Sequence, residues 1–393
     1  MNTAVIPALR SRTASRHNRF PMDVWLLGIT LLLVVLGLVM VASASVSIAE
    51  REMGDSFYFF WRQSAFVAVG LLMGYSLLHL RLVYWERLGS YFLLFGFAML
   101  VAVLFLGREI NGSVRWLAMG PFNMQPSELM KLFVIVYMAG YLVRRGDEVR
   151  NSFKGFLKPM ALVGVICVLL LMEPDFGATV VIATTVVGMM FLGGVRLWQF
   201  GILFIALLGS MAALAVSSPY RVERLTSFVN PWADPFDSGF QLTQALIAFG
   251  RGEWFGVGLG GSVQKLFYLP EAHTDFLFAV LAEELGLVGA IMVIVLFALL
   301  VWRAFVIGRS AMLGSNYFGA YLSFGIGLWL GLQAFINLGV NMGVLPTKGL
   351  TLPLMSYGGS SIVVSCMACA LLLRVSHEHP VEKQPAARRR AGE

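Results

Sequence analysis

Apolar runs close to twenty residues long recur along the whole of this chain, and no other feature constrains its fold so tightly. They lie near 24–46, 63–80, 88–106, 127–143, 159–172, 176–194, 198–217, 280–302, 317–342 and 358–374. About twenty apolar residues are what an α-helix needs to cross a hydrocarbon layer of roughly 30 Å. A transmembrane barrel would instead show alternating segments of about ten residues. The expected fold class is therefore all-α: a polytopic integral membrane protein of about ten transmembrane helices. The fifth run is short and ends at Glu173-Pro174, so it should tilt or continue into the following turn. Composition points the same way, since 58% of the 393 residues are hydrophobic and only 13% charged, which a chain surrounded by water could not accommodate.

The net charge of +7 does not imply nucleic acid, because the basic residues are dispersed among loops and tails. An even number of spans puts both termini on one side. Arg10, Arg12, Arg16, Arg19, Arg144, Arg145, Arg150 and the Arg388-Arg389-Arg390 run fall there, so both termini are expected in the cytoplasm. Residues 1–22 then form a basic tail, 23–375 the transmembrane domain and 376–393 a disordered tail. Ala42-Ser43-Ala44 imitates a signal-peptidase site, but the run before it exceeds the roughly 7 to 15 residues of a signal peptide, and it is kept as an uncleaved span. The longest loop, about 218–279 between the seventh and eighth spans, falls outside together with most of the acids, and it is too long for a mere connector. Cys167, Cys366 and Cys369 lie within apolar runs without metal-ligand neighbours and read as small buried thiols.

Chemistry should sit where charge enters apolar sequence. Leu269 to Gly286 brings Glu271, His273 and Asp275 to the mouth of a span and then places Glu283 and Glu284 within it. Ionised groups in hydrocarbon are costly unless paired or hydrated. For Glu283 and Glu284 two readings stand, an ion pair with a basic residue of another span or a part in catalysis. Asp275, at the boundary where a lipid substrate meets water, is the better placed acid. Arg115-Trp116 suits either an aromatic belt or a phosphate contact. Ser127 can cap the next helix, with Glu128 in its first turn and Lys131 one turn inside, paired with Glu128 or facing an anionic headgroup. Glu173 and Asp175 flank Pro174 in a turn that is either solvated or complementary to basic loop residues. The segment 345–361, apolar and punctuated by Pro and Gly with the single cation Lys348, looks like a re-entrant loop lining a cavity; Lys348 either meets phosphate or snorkels. Gly256-Val257-Gly258-Leu259-Gly260-Gly261 matches a dinucleotide pattern but lacks the βαβ context, and its glycines more simply let the backbone approach the membrane or a ligand closely. Gly70-x-x-x-Gly74 and Gly327-x-x-x-Gly331 permit close helix packing.

Several of these stretches resemble the signatures of the SEDS family (shape, elongation, division and sporulation). They are Pro270-Glu271-Ala272-His273-Thr274-Asp275-Phe276, Ala282-Glu283-Glu284-Leu285-Gly286, Ser356-Tyr357-Gly358-Gly359-Ser360-Ser361, Asn111-Gly112 with Arg115-Trp116, Gln125-Pro126-Ser127-Glu128, and Pro174-Asp175-x-Gly177. Ala272 and Lys348 are similar to the division branch of the family, and Met355, where Ile is more usual, is a conservative departure. The resemblance spans about 23–375. It implies a peptidoglycan glycosyltransferase that polymerises lipid II at the outer face of the bacterial inner membrane during septation, with Asp275 as catalytic base. The implied partners are lipid II and the nascent glycan chain, membrane lipids, a class B penicillin-binding protein (the septal transpeptidase FtsI), and FtsQ, FtsL and FtsB. On this reading Arg115, Lys131 and Lys348 meet the diphosphate, and Trp116, Glu271 and His273 line the substrate. Glu173, Glu283 and Glu284 support the electrostatics, the latter two with Glu271 raising the pKa of Asp275. A divalent cation, Mg2+ or Mn2+, is a candidate cofactor. A lipid II flippase and a non-catalytic scaffold for the septal transpeptidase are the alternatives.

Overall fold

The computed structural model describes residues 22–110, 113–119, 122–196, 198–201, 205, 209, 230–236, 239–346 and 349–378. Helices occupy every expected span except the seventh, most of which lies outside the described residues. They are α1 (Val24–Met53), α2 (Tyr58–Leu78), α3 (Leu82–Leu106), α4 (Pro126–Asn151), α5 (Phe153–Met172), α6 (Phe176–Leu192), α7 (Phe240–Gly252), α8 (Leu277–Leu313), α9 (Tyr317–Asn341) and α10 (Gly359–Glu378). Seven of them, α1, α3, α4, α5, α8, α9 and α10, are long and apolar enough to cross a membrane.

Local chemistry sets several of the ends. Asp23 caps α1 by accepting from the Leu26 amide at 3.0 Å and also pairs with Arg303 of α8. Pro126 opens α4, where its missing N–H costs nothing. Asp175 caps α6 by accepting from the Ala178 amide at 3.1 Å.

The polar helices are the enclosed ones. In α4, 83% of the membrane-length window is buried inside the protein, against 33% for α3 and for α5. Buried polar side chains therefore concentrate where other protein atoms can satisfy them: Ser127, Glu128 and Lys131 on α4, and Gln333, Asn337 and Asn341 on α9. The two small-residue motifs lie at helix contacts. A Cβ at Gly70 or Gly74 would meet α10 at 3.1 to 3.2 Å, and one at Gly327 or Gly331 would meet α8 at 2.8 to 2.9 Å.

The structure departs from the sequence reading in two places. Between α3 and α4 the chain forms a small antiparallel meander, β1 (Arg108–Ile110), β2 (Ser113–Met119) and β3 (Phe122–Met124), paired in the order β1-β2-β3. β1 and β3, of three residues each, are too short for alternation to register in the sequence. The second is a break in α8 at Gly286, whose φ of 67° and ψ of −166° leave the helical region. The backbone groups freed there are taken up by residues 253–258. The amides of Val257 and Gly258 donate to the carbonyls of Glu283 and Glu284, at 3.0 and 3.1 Å. In return, the amides of Leu287 and Val288 donate to the carbonyls of Glu253 and Trp254, at 2.9 and 3.2 Å. The contact needs glycine on both sides: a Cβ at Gly256 would stand 2.1 Å from the Glu284 carbonyl oxygen, and one at Gly286 would stand 2.4 Å from the Gly256 nitrogen.

Candidate active site

A cavity of about 1290 Å³ opens at one end of the bundle, where β2, the turn before α6, the segment before α8 and the segment 349–358 converge. Asp275 lies in its wall, one of the last residues before α8, and its surface is partly exposed to the cavity. Its backbone is held from α9. The side-chain amides of Asn337 and Asn341 donate to the Asp275 carbonyl at 2.8 and 2.9 Å, and Asn341 Oδ1 accepts from the Ala279 amide at 3.1 Å. Asn337 also donates to the Leu350 carbonyl at 2.6 Å, and one turn earlier Gln333 donates to the Thr351 carbonyl at 3.0 Å. One face of α9 thus holds both the Asp275 segment and the opposite loop. The loop comes so close that a Cβ on Gly349 would lie 3.0 Å from Asp275 Oδ2.

Electrostatics follow from this placement. Burial pushes the Asp275 carboxyl up to about 7; the negative charge of Glu271 adds to the rise, Arg115 opposes it, and Asp175 adds a smaller part. Glu271 is exposed, with a left-handed backbone at φ 56°. Its carbonyl accepts from the Thr274 and Phe276 amides, both at 3.2 Å, and its carboxylate accepts from Thr274 Oγ1 at 2.6 Å. His273 packs against Phe59 and Tyr357, with ring centroids 4.7 and 5.4 Å away. Burial lowers its pKa, against the pull of Glu271, so the imidazole is neutral near pH 7.

Across the cavity, Arg115 on β2 is fixed by backbone. Its Nε donates to the Glu173 carbonyl at 3.2 Å and its Nη2 to the Pro174 carbonyl at 2.6 Å. Trp116 lines the same wall. Asp175 accepts from Gln125 Nε2 at 3.0 Å and from Ser127 Oγ at 2.8 Å, which locks the α6 turn onto the start of α4. The Glu173 carboxyl is buried with both oxygens unpartnered. Burial, reinforced by Asp175 and opposed by Arg115, raises it to about 8, so it is largely protonated near neutrality.

The buried charges sort the sequence expectations. Of the two readings for Lys131, the pairing with Glu128 holds: it is buried, donating to Glu128 Oε1 at 2.8 Å and Gln333 Oε1 at 2.7 Å, and one helical turn carries it into the bundle interior instead of the cavity wall. Glu283 and Glu284 are engaged in ion pairs of their own, and the charges that shift the Asp275 carboxyl are those of Glu271, Arg115 and Asp175. Their ion-pair partners also come from the preceding α7 and loop instead of another span. Glu283 accepts from Arg251 Nη1 at 2.9 Å and from the Val263 and Gln264 amides at 3.1 and 3.3 Å. Glu284 accepts from Lys265 Nζ at 2.8 Å and from Ser43 Oγ of α1 at 2.7 Å. Lys348 lies outside the described residues. Among the described residues, the cations in the cavity wall are Arg115 and Arg62 of α2, a residue the sequence reading passed over. Asn337 and Asn341 were also passed over. Their signal was spacing, since Gln333, Asn337 and Asn341 recur every four residues on one helical face.

Comparison with known proteins agrees with this arrangement. The model of the FtsW, RodA and SpoVE family, described as "Cell cycle protein", matches residues 24–380. The chain belongs to that family. Its FtsW relatives include proteins from Nitrosococcus halophilus and Hahella chejuensis, both called "Probable peptidoglycan glycosyltransferase FtsW". The first is 59% identical over 91% of this chain and 92% of its own, the second 52% identical over 97% and 98%. Among solved structures, a chain from a peptidoglycan synthase complex that coordinates polymerization and crosslinking superposes with a TM-score of 0.76 at 30% identity, covering 91% of this chain and 98% of that one. The rod shape determining protein RodA of Thermus thermophilus superposes with a TM-score of 0.68 at 28% identity, covering 92% and 98%. As in these relatives, the present chain is an integral membrane protein of the FtsW, RodA and SpoVE fold.

Proposed function

We propose that this chain is a peptidoglycan glycosyltransferase that polymerises lipid II at the outer face of the bacterial inner membrane during septal wall synthesis. The observation that carries the reading is the cavity-wall carboxyl of Asp275, raised to about 7 and facing a fixed arginine. A base poised near the working pH is what proton abstraction from a sugar hydroxyl requires. The acceptor hydroxyl of lipid II attacks the anomeric carbon of the donor chain, its proton passes to Asp275, and the lipid diphosphate leaves toward Arg115. A single displacement of this kind inverts the anomeric centre and needs no carboxylate nucleophile.

The neutral His273 and Trp116 supply cavity wall that a sugar face can pack against, and Glu271 keeps Asp275 basic. Among the described residues no group of three or more His, Cys, Asp or Glu is arranged to hold a metal ion. The oxygens of Glu271 and Asp275 are hard donors of the type Mg2+ or Mn2+ takes beside substrate phosphates. We therefore assign any divalent cation to the diphosphate, with Glu271 as the carboxylate facing it and charge neutralisation as its contribution. The reading places both termini in the cytoplasm, the protein at the septum, and the septal transpeptidase FtsI with FtsQ, FtsL and FtsB as partners. Similarity to a chain of a synthase complex supports a crosslinking partner.

The test is lipid II polymerisation by the purified complex with its transpeptidase, wild type beside Asp275→Ala. The variant should lose at least about a hundredfold in polymer formation while still binding lipid II. Full polymerisation by Asp275→Ala would remove the assignment, and wild type that moves lipid II across vesicles without making polymer would establish a flippase.

A further inference from the structure

On the glycosyltransferase reading, on which this inference rests, two lipid-linked diphosphates enter one cavity. The donor chain is attached to its lipid by the diphosphate that leaves, whereas the incoming lipid II keeps its own. Each anion loses water on entering and needs cations in return. Among the described residues the cavity wall supplies two, on different elements.

Arg115 stands on β2. Two of its donors are engaged by the Glu173 and Pro174 carbonyls, which fixes the plane of the guanidinium and directs its remaining donors. The turn that holds it leads into Gly177, whose Cβ position meets the Gly349 carbonyl at 3.2 Å, and Gly349 in turn faces Asp275 Oδ2; the charge of Arg115 also acts on Asp275. Arg62 stands on α2, with Nη1 donating to Tyr58 Oη at 2.9 Å. It flanks the aromatic group of Phe59, His273 and Tyr357, and its charge opposes the burial that raises the Tyr357 phenol. Arg62 is not among the charges that act on Asp275.

The chemistry assigns each cation its anion. The base takes its proton from the hydroxyl that attacks the anomeric carbon, and that carbon carries the leaving diphosphate, so the donor's diphosphate lies beside Asp275. The acceptor's diphosphate lies at the far end of its disaccharide, away from the attacking hydroxyl. We propose that Arg115 holds the leaving diphosphate of the donor chain and that Arg62 holds the retained diphosphate of the acceptor lipid II. In the step itself, the acceptor oxygen bonds to the anomeric carbon, the bond from that carbon to the diphosphate oxygen breaks with its electron pair, and the proton goes to Asp275. The charge at Arg115 therefore grows during reaction, while that at Arg62 does not change.

Differential binding then separates the two residues kinetically. The experiment measures initial polymerisation rate against lipid II concentration for the purified complex, with undecaprenyl diphosphate as a competing probe. Arg62→Gln should raise half-saturating lipid II about tenfold, recover most of the maximal rate at saturation, and keep wild-type inhibition by the probe. Arg115→Gln should lower the maximal rate about tenfold or more without recovery, and lose sensitivity to the probe. If Arg62→Gln unfolds, Arg62→Lys carries the test, since an ammonium lacks the bidentate fork and half-saturation should still rise severalfold. Wild-type half-saturation at position 62, a maximal-rate defect there that lipid II does not repair, or wild-type probe inhibition in Arg115→Gln would each overturn the assignment. A wild-type complex that makes no polymer would remove the functional reading, and this inference with it.

Discussion

At the scale of single residues, the proposed role of Asp275 as base ties rate and stability to one protonation. Acting as a base it must be ionised, so polymerisation should rise with pH through about 7 and level off above. Glu271 contributes to the elevation, so Glu271→Gln should move the rising limb to lower pH; a pH–rate profile that stays in place or moves up would separate the two groups. Stability has the opposite slope. The carboxyl binds its proton more tightly folded than unfolded, so ionisation between 3.8 and about 7 works against folding. Glu173, raised to about 8, has the same sign. The unfolding temperature should therefore fall as pH rises across this window, and Asp275→Asn should flatten the fall, as read by thermal scans from pH 5 to 9. That Asp275 stands at the mouth of a span was legible from an acid at the edge of an apolar run. What positions it was not: Asn337 and Asn341 are uncharged amides in a span, and their partner, the Asp275 carbonyl, is distant in sequence and adjacent only after folding.

At the scale of elements, the strap of residues 253–258 and the break in α8 form one unit tied by two buried carboxylates. Glu284 is fully buried and Lys265 nearly so. Lys265→Ala would leave the carboxylate without its cation and should cost about 3 to 5 kcal/mol, whereas pairing it with Glu284→Gln should restore most of the loss. Detergent-solubilised thermal unfolding of the single and double variants measures this, and equal losses in both would show that the pair contributes nothing. Charged residues in an apolar run announced that something was paired here, but not with what. Arg251 and Lys265 sit in a stretch that reads as loop, and continuous hydropathy through Gly286 conceals the break, because glycine interrupts a helix without interrupting apolarity. Gly256 was legible as a point of close approach, but what it approaches is the α8 backbone and not the membrane or a ligand.

At the scale of the whole molecule, the helical membrane architecture follows from run length, and helices stand at each expected position that the described residues cover. The small meander escaped because two of its strands, β1 and β3, have only three residues each and leave no period to read. The proposed orientation is directly measurable: with cysteine-free background, a thiol introduced at the exposed Phe236 should react from outside intact spheroplasts with a membrane-impermeant maleimide, and one at Glu378 should react only after lysis. Reversed labelling would invert the topology and displace the site to the cytoplasm. The mutual bonding of strap and broken helix also changes what cooperativity means in this fold. An unbroken span protects its own amides, whereas here Val257, Gly258, Leu287 and Val288 protect one another across the break. In hydrogen exchange those four amides should open as a single event, so that detachment of a surface segment is recorded by amides inside a membrane span.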